Sequence, residues 1–205
     1  MLIIKKKRYV KTTDSRNWMR RHPDLVKGVI PAYPEQYWVA DITYIATKRG
    51  FAFLHLLTDA YSKKIMGYEL CNDLLADSTL KALKMAIANR QYSSTITHHS
   101  DRGLQYCSTS YLEQLRTASI KVSMTQDGSP YDNATAERIN GILKDEFGLD
   151  EVFEDFEQLK KQTRQSIEIY NLKRPHLSCS MLTPQQMHNQ NEVRVKTWRK
   201  KRCRD

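Results

Sequence analysis

The chain has 205 residues, 40% apolar and 27% charged, which suits one folded core and excludes a disordered or fibrous polypeptide. No apolar run approaches the roughly 20 residues needed to cross a bilayer, and the opening MLIIKKKRYV lacks the apolar stretch of a secretory signal, so a cytoplasmic protein is expected. The net charge of +10 sits at the ends: residues 1–30 hold nine Lys and Arg against two acids, 191–205 hold seven against two, and 31–190 are nearly balanced, with 17 basic and 19 acidic residues.

The first 32 residues, with KKKRYV and RNWMRRHP, read as a basic arm and linker, and the prolines of GVIPAYPEQ mark the entrance to a folded domain over 33–188. Residues 189–205 read as a basic tail. Such arms suit a phosphate backbone, because neutralising phosphates releases condensed counterions, although solvated tails have the same composition.

Within the domain, YWVADITYIAT is rich in β-branched and aromatic residues and apolar on both parities, as a strand buried on both faces should be. KRG makes a turn, and FAFLHLLTDA and KKIMGYELC follow as strands, so the three should form an antiparallel meander. DSTLKALKMAIANR has helical spacing with Asp77 as N-cap. STITHHSD is a fourth strand, STSYLEQLRTAS a helix starting from Ser108 or Ser110, and IKVSMT a fifth strand. After the loop QDGSPYDN come the helices ATAERINGILKDEF and FEQLKKQTRQSIEIYN. The order β-β-β-α-β-α-β-α-α is that of a ribonuclease-H-like α/β fold, a central five-stranded mixed sheet flanked by helices.

Three carboxylates stand out. Asp41 is the only charge in YWVADITYIAT, where an ionised carboxylate costs several kcal/mol unless it is paired. Asp101 falls where TITHHS ends and a turn begins, and open α/β sheets bind ligands at the carboxyl ends of their strands. On a helical wheel at about 100° per residue, Lys144 lies within roughly 20° of Glu137. Ile139, Ile142 and Leu143 cluster near the opposite side and should pack on the sheet, with Glu146 among them. Singly, these acids are also what a structural salt bridge, a turn Asp and a surface Glu look like. Together they match phosphodiester chemistry by two divalent ions, which needs convergent carboxylates, and Mg²⁺ prefers such hard oxygen ligands.

Other residue types carry weaker signals. Cys71, Cys107, Cys179 and Cys203 are widely spaced without a CxxC pair, which argues against a zinc knuckle or disulfide framework. Trp38 and Tyr44 are expected in the core, and Tyr131 either packs or contacts DNA. Of His98 and His99, one is expected in the strand and the other as a polar neighbour of the site. Arg174 and His176 in KRPHLS have no role that spacing reveals.

Asp101 and Glu137 are separated by thirty-five residues, and WVADITYI, DAYSKKIMGY, HHSDRGLQY, GSPYDNATAERINGILKDEF and YNLKRPHLSCSMLTP stand around the acids in order. Over about 33–188 the chain resembles bacterial insertion-sequence transposases with a retroviral-integrase-like Asp, Asp, 35, Glu core. The resemblance implies that Asp41, Asp101 and Glu137 are the catalytic, metal-binding triad, holding two Mg²⁺ or Mn²⁺ ions. It implies cleavage at a transposon 3′ end, followed by attack of the freed 3′-hydroxyl on a second phosphodiester, with no covalent protein–DNA intermediate. Lys144 is placed at the DNA, as are Thr43, Asn133 and Arg138. Asp59 reads as a hairpin-end residue and Asp132 as an N-cap.

The implied partners are transposon ends and target DNA, with at least a dimer on DNA and a nucleoid-associated location in a bacterium. Relatives usually carry a helix-turn-helix region ahead of the core, often from an upstream reading frame, and only the tail of such a region is expected here. A truncated, non-catalytic DNA-binding regulator is therefore the competing function, and a nuclease for RNA–DNA hybrids a third.

Overall fold

The computed structural model describes residues 22–126 and 134–196. The basic stretches of 1–21 and 197–205, Cys203, and Tyr131, Asp132 and Asn133 lie outside the described residues. Five strands, β1 (Tyr37–Thr47), β2 (Gly50–Asp59), β3 (Ile65–Cys71), β4 (Thr97–Ser100) and β5 (Lys121–Met124), form one mixed sheet in the order β3-β2-β1-β4-β5. The helices are α1 (Ala76–Ala88), α2 (Thr109–Thr117), α3 (Ala134–Asp145), α4 (Phe156–Lys173) and the short α5 (Pro184–His188). β1 to β3 make the expected antiparallel meander, and the crossovers through α1 and α2 bring β4 and β5 in parallel.

The sheet is buried on both faces, which explains why its strands are apolar on both parities. On one face Trp38, Ala40, Ile42, Leu57 and Met66 pack with Leu83 and Ala86 of α1 and Tyr111 and Leu115 of α2. On the other, Ile45, Leu54, Leu56 and Ile65 pack with Ile139, Ile142 and Leu143 of α3 and Leu159, Ile167 and Tyr170 of α4. The wheel reading of α3 thus holds for its apolar stripe. Glu146 does not join that stripe: it lies just past the helix and pairs with Arg174 at 2.5 Å. α1 lies so close to β3 that a Cβ at Gly67 would stand 2.2 Å from the Ala82 carbonyl oxygen.

Two local expectations are corrected. α1 begins two residues earlier than Asp77 as N-cap predicts: Leu75 is its N-cap, no side chain caps it, and Asp77 sits in the first turn. There the carboxylate complements the helix dipole without occupying the cap. Ser108 does precede α2, but its hydroxyl donates to the Gln105 carbonyl at 2.9 Å and leaves the helix uncapped by a side chain.

Asp59 at the end of β2 behaves as the hairpin-end residue expected of it, accepting from the Ser62 amide and hydroxyl at 2.7 Å each. It is also fully buried and belongs to a larger network. Its Oδ2 accepts from the Glu35 amide at 2.7 Å, while His188 of α5 stands 3.5 Å from the Glu35 carboxylate and 3.7 Å from Asp59. The network locks the entry segment and α5 onto the same end of the sheet.

Candidate active site

β1 is eleven residues long and β4 only four, so their parallel pairing covers Tyr37 with Thr97, Trp38 with His98 and Val39 with His99. The same offset, carried two residues past the last pair, sets Asp101 opposite Asp41, where β4 has ended and the chain turns away. Asp101 is held in that turn by the Gly103 amide, which donates to its Oδ1 at 2.9 Å. The next side chain, Arg102, donates to the Thr125 carbonyl at 2.7 Å and to that of Gln126, fastening the turn to the end of β5.

α3 crosses the same face of β1. Ala136 packs against Val39, and one turn on, the buried Asn140 donates from Nδ2 to Asp41 Oδ2 at 2.6 Å. Glu137 lies three residues before Asn140 on this helix, in its first turn, and is exposed.

The three carboxylates form one electrostatic unit. Burial pushes the Asp41 carboxyl up to about 7, and the negative charges of Asp101 and then Glu137 push the same way, against the Ile42 amide and the Asn140 bond. The unit is open: among the described residues, no three His, Cys, Asp or Glu side chains close into a group that would hold an ion. Its donor set, all carboxylate oxygen, nevertheless suits hard divalent cations such as Mg²⁺ or Mn²⁺.

Around this unit the other predicted residues fall in different places. Thr43 is buried in β1 two residues after Asp41, hence on the same face of the strand. Lys144 Nζ stands 4.5 Å from the centroid of the Tyr44 ring, which meets Phe51 edge-on at 5.4 Å. Tyr44 is therefore not the core residue expected: it is half-buried and carries a cation, whereas Trp38 is fully buried. Arg138 is exposed, one residue round α3 from Glu137.

The two histidines are not divided between strand and site. Both are buried in β4, His98 Nε2 paired with the Tyr111 hydroxyl at 2.8 Å and His99 Nδ1 with the Ser123 hydroxyl at 2.9 Å. Burial, with the neighbouring His99 charge, lowers His98 to about 3, so it stays neutral. Cys71, Cys107 and Cys179 are unbridged.

Asn140 is the residue that sequence reasoning passed over. Its signal was present: a polar side chain at i+3 from Glu137, next to Ile139 in the apolar stripe, is buried and needs a partner.

A family profile described as integrase core domain matches residues 31–130, and a second of the same description matches 118–184. The chain belongs to the integrase-core family. It is 36% identical over 171 residues to a Mycobacterium tuberculosis protein assigned as a transposase for insertion sequence element IS986/IS6110, covering 80% of this chain and 62% of that one. It is 36% identical over 159 residues to the Escherichia coli K12 transposase InsF for insertion sequence IS3fB, covering 77% of this chain and 55% of that one. The chain thus spans about three fifths of the length of these relatives.

In fold it is similar to the HTLV-2 integrase catalytic core domain in complex with magnesium, with TM-score 0.60 and 19% identity over 76% of this chain and 97% of that one. It is also similar to a simian T-cell lymphotropic virus intasome chain, with TM-score 0.67 and 20% identity over 93% of this chain and 66% of that one. The ribonuclease-H-like fold expected from element order is the fold of this integrase-core protein. No helix among the described residues is long and apolar enough to cross a membrane.

Proposed function

We propose that this protein is the catalytic core of a DNA transposase, cutting at a transposon 3′ end and joining the freed 3′-hydroxyl to target DNA. The observation that carries this reading is the shared field of Asp41, Asp101 and Glu137, in which two acids from different elements both act on the third. Carboxylates that repel one another in this way gain most from a cation between them.

In this reading Asp41, Asp101 and Glu137 hold two Mg²⁺ or Mn²⁺ ions. Such ions, when bound, activate the attacking water or hydroxyl and stabilise the leaving oxygen. The protein's own contribution is positional. Asn140 fixes Asp41, the Gly103 amide fixes Asp101, and the parallel register sets the two acids side by side. Glu137 approaches from α3, exposed toward the DNA. Lys144, Arg138, Thr43 and Asn133 contact the DNA, and the basic ends add salt-sensitive affinity. The active species on DNA is at least a dimer, since two ends must be joined, and a helix-turn-helix protein from an upstream reading frame supplies end recognition.

Metal-dependent cleavage and joining of a labelled duplex carrying the element's terminal repeat tests this, with wild type set against Glu137→Gln. Activity that needs Mg²⁺ or Mn²⁺ and falls about a thousandfold or more in the variant is expected. If both proteins bind DNA and neither cuts it, the non-catalytic regulator replaces this reading. If the variant cuts as well as wild type, the active site is assigned to the wrong residues.

A further inference from the structure

Behind α3, away from Asp41, lies a second cleft of about 580 Å³, within the range that holds small organic ligands. Its walls come from the turn after β2, one flank of α3 and the KRPHLS segment after α4, and include Lys63, Arg138, Ile142, Arg174, His176 and Met181. The segment that spacing left without a role therefore builds one side of a cavity whose other side is the helix bearing Glu137.

The cleft is cationic and rigid. Arg174 donates from Nε and Nη2 to Glu146 at 2.6 and 2.5 Å and from Nη1 to the Pro175 carbonyl at 3.1 Å, which fixes its plane and leaves two of its five N–H donors. Arg138 makes no hydrogen bond or ion pair with the described residues. Lys63 adds a third cation, its Nζ donating to the Ala60 carbonyl at 2.6 Å. Glu146, paired with Arg174, and Asp59, whose charge acts on Lys63, are the carboxylates that offset these three cations.

The cleft also has an apolar floor. Ile139 and Ile142 line it, with Leu177 and Met181 at its edge 57% and 59% exposed. His176 is buried with its ring edge-on to Tyr170, and burial and the charges of Arg174 and Lys63 lower it to about 4, so the imidazole is neutral. Two lining residues, Lys63 and Met181, hold left-handed backbone at φ 66° and 67°, a conformation that non-glycine residues keep where surrounding structure enforces it.

We propose that this cleft receives one unpaired nucleotide of the DNA strand lying across the Asp41, Asp101 and Glu137 site, its phosphate on Arg138 and Arg174 and its base on the aliphatic floor. The assignment rests on the DNA-processing function proposed above. A lone phosphate leaves the aliphatic walls unused, and a paired base reaches them only by leaving its stack. Arg138 follows Glu137 directly, so a strand at the site passes the mouth of the cleft.

The test is binding of the full chain, by anisotropy, to a blunt duplex and to the same duplex with a two-nucleotide single-stranded 3′ overhang carrying 2-aminopurine. Wild type is expected to prefer the overhang about tenfold, with a change in 2-aminopurine fluorescence. Met181→Glu, which places a negative charge at the exposed rim, is expected to abolish the preference while blunt-end affinity stays within about twofold. Equal affinity for both duplexes in wild type, or an unchanged preference in Met181→Glu, overturns the proposal. Displacement of the overhang by inorganic phosphate as readily as by a mononucleotide also overturns it, because the site then reads charge alone. Glu137→Gln separates the two readings: it is expected to lose cleavage and keep the overhang preference. A wild type that cuts but shows no preference sinks the cleft alone.

Discussion

Asn140 donates from Nδ2 to Asp41 Oδ2 across 2.6 Å, joining the helix that carries Glu137 to the strand that carries Asp41. The bond fixes the rotamer of a carboxylate that its neighbours repel, and it opposes the rise in Asp41's proton affinity. Its partner atom Asn140 Oδ1 is buried without a hydrogen bond among the described residues.

Replacing Asn140 with alanine is therefore expected to lower cleavage about 10- to 100-fold, as loss of a residue that orients a metal ligand does. The pH at which activity is half-maximal should also rise, since the removed amide favoured ionised Asp41. A rate-against-pH profile of the variant checks this; an unchanged midpoint would show that the bond plays no electrostatic part.

Asp41 itself makes a prediction about stability. Its carboxyl is raised from 3.8 to about 7, so between those values the metal-free folded chain binds more protons than the unfolded chain, and stability falls as pH rises through that window. The loss above pH 7 is on the order of 3 kcal/mol. Thermal melts in chelator from pH 4 to 8 should show the decline, and Asp41→Asn should flatten it. Divalent ions compete with the same proton, so their apparent affinity should rise with pH up to about 7.

The buried cluster of Glu35, Asp59 and His188 works with the opposite sign. Burial alone would lower His188, but the carboxylates of Asp59 and Glu35, 3.7 and 3.5 Å away, outweigh it and raise its pKa above 6.5. That contribution is full below pH 6.5 and is lost as pH rises through the folded value. Glu35 is held below 4.5, burial being outweighed by His188 and the amide of Gln91, so its share is present above pH 4.5 and lost on acidification. The pair therefore stabilises most between about 4.5 and 6.5. His188→Ala removes a cation from between two buried carboxylates, while Arg90 stays 3.4 Å from Glu35, and should cost about 3 kcal/mol in denaturant unfolding at pH 6.

Gly67→Ala probes the packing of α1 on β3. The added methyl would lie 2.2 Å from the Ala82 carbonyl oxygen and 2.6 Å from the Ala86 amide nitrogen, backbone atoms that cannot rotate aside. A loss of about 3 kcal/mol is expected. A melt within a degree of wild type would show that α1 shifts freely over the sheet.

The sequence alone determined the five strands, the first four helices and the two-faced sheet, because these follow from local pattern, and it singled out three acids as candidates; the short α5 it did not show. Strands apolar on both parities announce burial on both faces, and a lone Asp in such a strand is conspicuous whatever surrounds it. The tertiary structure decided what depends on pairing. The register that sets Asp101 opposite Asp41 arises from a crossover of some fifty residues between β1 and β4, which no local window contains. Asn140 looked like one more polar helix position until α3 was laid over β1. Tyr44 looked like core until Lys144 was found against its ring. Arg174 and His176 had no reading until the segment after α4 folded back beside α3. Side-chain roles set by contacts between distant segments are energies of proximity, and proximity is what folding adds to sequence.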